Sequence, residues 1–416
     1  MKYLVLITFL LFGFVGKLST PYPTDGYEAT GIRRLAYVDK MRKGEIKSTL
    51  PKGAMKTLGE IKLNLTDSAD VFANGLPEVD EKLQKSINGL FPNLDDSYSI
   101  AVLDITPGKP MRYAGRKERT GFQPGSVGKL AIIVALFDQL NKLYPDSFQK
   151  RQELLKNTLV LAGKWAVPNE HTVPFYDPET GKLFKRTVQE GDVFSLYEWA
   201  DHMLSVSSNA AASVVWREVM LMNAFGKEYP VSQERADEYF ATTKKSELSD
   251  MAMNLVNEPL RNLGITEQEW RLGSFFTRGA GNYVPRQGGS LGSPVGLMKF
   301  LVAVERGVVI DKASSLEIKR LMYMTDKRIR YAAAAELSGA AVYFKSGSLY
   351  SCQAEEGFVC KKYHGNKANY MNSVAIIEHP DNTTYLVVLM SNVLKKNSSG
   401  DHYGLATWID RIIRKK

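Results

Sequence analysis

Apolar residues return at helical spacing at Leu130, Ile133, Val134 and Phe137, directly after a polar turn at Pro124 and Gly125. That period predicts a helix opening just past the turn. Upstream, Val79, Leu83, Ile87, Leu90 and Phe91 form one stripe and predict a helix over 77–91 with Pro77 at its start. Residues 97–105 then read as a strand, 106–108 as a turn and 111–114 as the hairpin partner. From about 140 to 300 the pattern is helical with no convincing alternation. A loop falls around 174–180, a helix over 196–204, a polar knot over 205–209, and another helix from Ala210. Residues 217–255 read as inserted helices, and Ser293-Pro294 caps an apolar helix over 295–304. The end of the chain turns β-rich, with strands at 340–344, 373–377 and 384–389 and a hairpin turn at 379–382. Leu405, Trp408, Ile409, Ile412 and Ile413 mark a closing amphipathic helix.

This order predicts an α/β (α+β) chain. Segments 76–140 and 300–416 build an antiparallel sheet of about five strands, covered by the first and last helices. An all-α domain, 141–299, is inserted between them. Residues 20–75 are polar and mixed, with a basic patch (Arg33, Arg34, Lys40, Arg42, Lys43) and a hint of a strand at 61–65. They are expected to form an extension that packs on the body or acts as a stalk.

Composition narrows the compartment more than the fold. The 416 residues are 44% hydrophobic, enough for a large core, and the net charge is +9. The Lys and Arg are scattered, without the basic stripe and interleaved aromatics of a nucleic-acid surface, so no nucleic-acid partner is expected. Met1-Lys2 followed by an apolar run to Gly16 predicts a secretory signal over 1–19, with an uncleaved anchor as the alternative and no other membrane span. The two cysteines, Cys352 and Cys360, flank a short loop. In an exported chain a disulfide is the favoured reading, and two buried free thiols are the alternative.

The candidate chemistry begins at Ser126 and Lys129. They lie three residues apart at a helix start, so a hydroxyl meets the positive end of the helix dipole with an amine one turn on. That is the minimum for a serine nucleophile without histidine. Two further short elements follow in order, Ser207-Ser208-Asn209 in the knot and Lys345-Ser346-Gly347 at the end of a strand. Together the three elements resemble the active-site serine superfamily of class A β-lactamases and penicillin-binding proteins, over about residues 76–416.

The resemblance implies a serine hydrolase without metal or organic cofactor, acting on a β-lactam. A D-Ala-D-Ala carboxypeptidase or esterase, or a slow-turnover penicillin-binding sensor, is the alternative. It implies Ser126 as nucleophile, Lys129 as the group that takes its proton, and Ser207 as relay to the leaving nitrogen. Asn209 would hold the substrate amide, Lys345 and Ser346 would bind its carboxylate, and Gly347 would leave the strand edge open. The backbone N–H groups of Ser126 and Ser348 would form an oxyanion hole, each donor worth about 3 kcal/mol. The location implied is periplasmic or secreted.

The pattern departs from the family in two minor ways and one serious one. Ser208 stands where class A enzymes have aspartate, and Ser346 where threonine is commoner. The deacylating glutamate of class A enzymes should fall near 275–282, a stretch without a carboxylate. Glu258, in Glu258-Pro259-Leu260-Arg261-Asn262, has the right spacing but comes earlier in the chain.

Overall fold

A computed structural model describes residues 23–47, 51–68, 70–73, 75–326 and 328–415. The expected signal over 1–19 lies outside the described residues. Five strands pair into one antiparallel sheet: β1 (Ser99–Asp104), β2 (Arg112–Arg116), β3 (Ala341–Ser351), β4 (Ala368–Glu378) and β5 (Thr384–Asn392), in the order β2-β1-β5-β4-β3. Every residue of β1 is buried, and so is all of β5 except its last, because helices cover both faces. Such strands are written as continuous apolar runs rather than alternations.

Successive side chains point to opposite faces, which divides the apolar residues into two cores. On one face Ile100, Val102 and Val387 pack with Leu83 and Ile87 of helix α1 (Glu81–Asn88) and with Ile409 and Ile413 of the closing helix (Ser399–Arg414). On the other, Ala101, Leu103 and Val388 join the larger cluster. Its centre is helix α2 (Lys129–Leu143), whose residues from Lys129 to Phe137 are all buried. A helix apolar all round belongs in the middle of a protein. Around it stand α3 (Leu196–Ser205), α4 (Asn209–Phe225), α5 (Lys245–Asn262), α6 (Pro294–Arg306) and α7 (Lys312–Tyr323).

The fold class is the expected one; several elements differ in detail. Helix α1 starts four residues after Pro77, because the Asp80 side chain caps it by accepting from the Leu83 N–H at 2.7 Å, while Val79 bridges to Tyr113. The expected loop near 174–180 is a hairpin, Thr172–Tyr176 against Leu183–Thr187. Leu159–Leu161 with Val193–Ser195, and Trp270–Arg271 with Leu291–Gly292, are two more ribbons in the stretch expected to be all helix. Ribbons of two to five residues leave too short a record for a period to be read. Residues 61–65 form no strand; buried Ile61 and Leu65 anchor an irregular segment, with the Leu65 N–H donating to the Glu305 carbonyl at 3.0 Å. Cys352 and Cys360 form a disulfide in the loop between β3 and β4.

Candidate active site

Three backbones converge at the middle of β3, which runs on past the end expected at residue 344. Ser126 lies in a 3-10 turn, Gly125–Gly128, that runs directly into α2. Gly125 has φ +53°, and a Cβ there would stand 2.7 Å from the Ser348 carbonyl oxygen. A Cβ on Gly347 would strike the Pro124 carbonyl oxygen. The glycine of the third motif is therefore required for the strand to lie against the serine turn, a different reason from the open ligand edge expected of it.

Ser207 sits between α3 and α4 at φ +62°, a left-handed conformation costing a non-glycine residue roughly 1–3 kcal/mol. Its neighbours hold it there. The Ser208 N–H donates to the His202 carbonyl at 3.0 Å, and the Ser208 side chain caps α4 by accepting from the Ala211 N–H at 3.2 Å. The serine at the family's aspartate position is thus a helix cap.

Lys129 Nζ is the hub. It lies 2.9 Å from Ser126 Oγ, 2.6 Å from the Ser207 carbonyl, 2.7 Å from Asn209 Oδ1 and 3.4 Å from Ser207 Oγ. Complete burial, and then the Lys345 charge, hold its pKa well below the ordinary lysine value. A neutral amine has two N–H groups and one lone pair. The Ser207 carbonyl and Asn209 Oδ1 only accept, so they consume the two N–H groups, and the lone pair is left for the Ser126 hydroxyl. Lys345 Nζ donates to Ser207 Oγ at 2.8 Å and to the Ser346 carbonyl at 2.9 Å. Ser207 Oγ thereby stands between two amines, as a proton relay must.

Burial, and then Arg330, lower Lys345 to about 7. Arg330 in turn donates from Nη1 to the Gly347 carbonyl at 2.7 Å. A cation that must keep its proton to attract a substrate carboxylate loses it as pH rises through its pKa. The second-order acylation rate is therefore expected to fall above about pH 7, approaching tenfold per unit. Stopped-flow acylation from pH 5 to 9 measures this, and a flat profile to pH 9 would contradict it.

Two cavities meet over these groups. One, of about 390 Å³, is lined by Ser126, Asn209 and Ser348 and walled by Phe275, Phe276 and Tyr350. The other, of about 300 Å³, is lined by Ser207, Lys345 and Ser346. Glu170 and His171 belong to the walls of both. His171 is held neutral, at about 3, by burial and then by Lys129 and Lys345, and its Nδ1 is buried without a partner.

All eight motif residues singled out in the sequence meet here. Glu258 does not: it is exposed on α5 and lines neither cavity. Instead, the Phe276 ring lies with its centroid 4.9 Å from Lys129 Nζ. Phe276 falls in the stretch where the deacylating loop was expected, but its contact with Lys129 could not be read from sequence. Among the described residues lining the serine cavity, Glu170 is the only carboxylate. Neither it nor His171 carries a motif, because an irregular segment beside a short ribbon delivers both.

Known proteins share this architecture. A match to the beta-lactamase enzyme family spans residues 82–406. The chain belongs to that family. No curated protein matches the sequence. Among solved structures, a class A beta-lactamase from Bacteroides cellulosilyticus is 15% identical with a TM-score of 0.52, covering 80% of this chain and 96% of its own. A beta-lactamase from Chitinophaga pinensis is 17% identical with a TM-score of 0.51, covering 80% and 98%. PBP-A is 12% identical with a TM-score of 0.52, covering 81% and 96%. At these identities the likeness concerns the fold, and family membership makes the chain a hydrolase of the β-lactamase and penicillin-binding superfamily.

Proposed function

We propose that this chain is an exported serine hydrolase that opens a β-lactam amide by acylation of Ser126 and releases the acyl group slowly. The observation that carries the reading is the buried Lys129 amine, 2.9 Å from Ser126 Oγ and within hydrogen-bond reach of the Ser207 carbonyl and Asn209 Oδ1. Lys129 takes the Ser126 proton as Oγ attacks the lactam carbonyl. The Ser126 and Ser348 N–H groups receive the oxyanion. Ser207 passes a proton to the leaving nitrogen, while Lys345 and Ser346 hold the substrate carboxylate and Asn209 its side-chain amide. A D-Ala-D-Ala-type peptide or a small ester would acylate the same serine by the same steps.

Slow release follows from Phe276. An aromatic ring against Lys129 gives a hydrolytic water no carboxylate to bind there. Export is supported by the basic and apolar N-terminus together with the Cys352–Cys360 disulfide.

A chromogenic cephalosporin tests the reading: a burst of one equivalent followed by a slow steady rate is expected, and no burst and no turnover would contradict it. A second reading, efficient turnover, is favoured by Glu170 on the wall of the serine cavity. It requires a fast steady rate that Glu170→Gln abolishes while the burst survives.

A further inference from the structure

Two helices, Gly26–Thr30 and Arg33–Arg42, precede the segment matched to the family, which begins at residue 82. They are built into the back of the site. The Arg33 guanidinium pairs with Glu198 of α3, Nε to Oε1 at 2.9 Å. Arg34, buried, pairs with fully buried Asp201 on the same helix, and its Nη2 also donates to the Met324 carbonyl at 3.0 Å.

One of these backbones leads into the turn that carries Ser207, and the other packs beside the strand that carries Lys345. Asp201 lies six residues before Ser207, on the helix that ends at its turn. Met324 is followed by Thr325, whose Oγ1 donates to the Phe344 carbonyl at 3.0 Å beside Lys345, and by Asp326, whose N–H donates to the Ser205 carbonyl at 3.0 Å. Arg34 therefore ties the Ser207 turn to the Lys345 strand without touching either residue. Further along the same N-terminal segment, the Gly53 carbonyl accepts from the hydroxyl of Tyr323, in the preceding helix turn, at 2.8 Å, and Lys56 pairs with Glu378 at the end of β4 at 2.7 Å.

We propose that Arg34 is a positioning residue for acylation: this N-terminal strap, lying ahead of the family's shared segment, fixes the separation of Ser207 and Lys345. The inference rests on the acylation reading above. A guanidinium is needed because it serves a carboxylate and a carbonyl at once in fixed directions, which an ammonium on a flexible stem does not reproduce.

The test compares the wild type with Arg34→Met/Asp201→Leu and with Arg34→Lys. The double variant removes both buried charges, so its melting temperature is expected to match or exceed that of the wild type. Its acylation rate constant is nonetheless expected to drop by about tenfold to a hundredfold, the scale of a small misplacement of reacting groups. Arg34→Lys, which keeps the charge, is expected to fold and to acylate more slowly than the wild type. Either variant acylating at the wild-type rate would overturn the proposal. Hydrogen exchange gives a readout independent of substrate. Faster exchange confined to amides 205–209 and 324–326, with the sheet unchanged, supports the inference even if the wild type forms no acyl-enzyme, and unchanged exchange there overturns it.

Discussion

Replacing Lys129 with methionine is expected to slow acylation of Ser126 by about 10²- to 10⁴-fold, the range of a lost general base acting on a nucleophile. Methionine keeps the length of the lysine stem and its apolar packing under the Phe276 ring. The variant leaves the Ser207 carbonyl and Asn209 Oδ1 without their donor, costing roughly 1–3 kcal/mol for each buried acceptor. Against this stands relief from burying an amine, whose desolvation is the leading cause of its lowered pKa. The rate is therefore expected to fall far more than the melting temperature. Stopped-flow acylation and thermal melting on the same preparation separate the two. A variant that melts early and acylates normally while folded would assign Lys129 to structure alone.

Exchanging Phe276 for glutamate is expected to shorten the lifetime of the acyl-enzyme by about 10²-fold or more, the usual range for a positioned general base. The ring lies on Lys129, so a carboxylate on that backbone enters the serine cavity at the place where a water must be activated. The loop itself is held independently of the ring, by Thr277 Oγ1 donating to the Trp165 carbonyl at 2.6 Å and lying 2.8 Å from Ser213 Oγ. The exchange also carries a penalty of definite sign. An anion beside Lys129 favours its charged form, so acylation is expected to slow as release accelerates. Phe276→Gln, with a similar shape and no base, is expected to leave the lifetime long. Equal acyl-enzyme lifetimes in Phe276→Glu and the wild type would show that release is limited elsewhere.

How much of this could be read from the sequence depended on how each element is held in place. The strands at 99–104 and 384–392 were legible because burial on both faces writes them as unbroken apolar runs. Ser126 and Lys129 were legible because their contact is local, one helical turn apart. Ser207 and Asn209 meet Lys129 across 78 and 80 residues, and Lys345 meets Ser207 across 138, so their partnership could be inferred only from the order of motifs. Glu170 and His171 left no signal, since an irregular segment has no period. The N-terminal segment left both packing on the body and a stalk open for a physical reason: it is fastened by ion pairs of Arg33, Arg34 and Lys56 as well as by a few buried apolar residues, so it reads as polar and mixed.

The central claim is a covalent acyl group on Ser126. Intact mass spectrometry of the purified protein, followed over time after addition of benzylpenicillin, tests it most directly. A single adduct, located on Ser126 by peptide mapping, absent from Ser126→Ala and persisting for hours, is the result expected. An unmodified wild type, or an adduct that forms equally on Ser126→Ala, would contradict it.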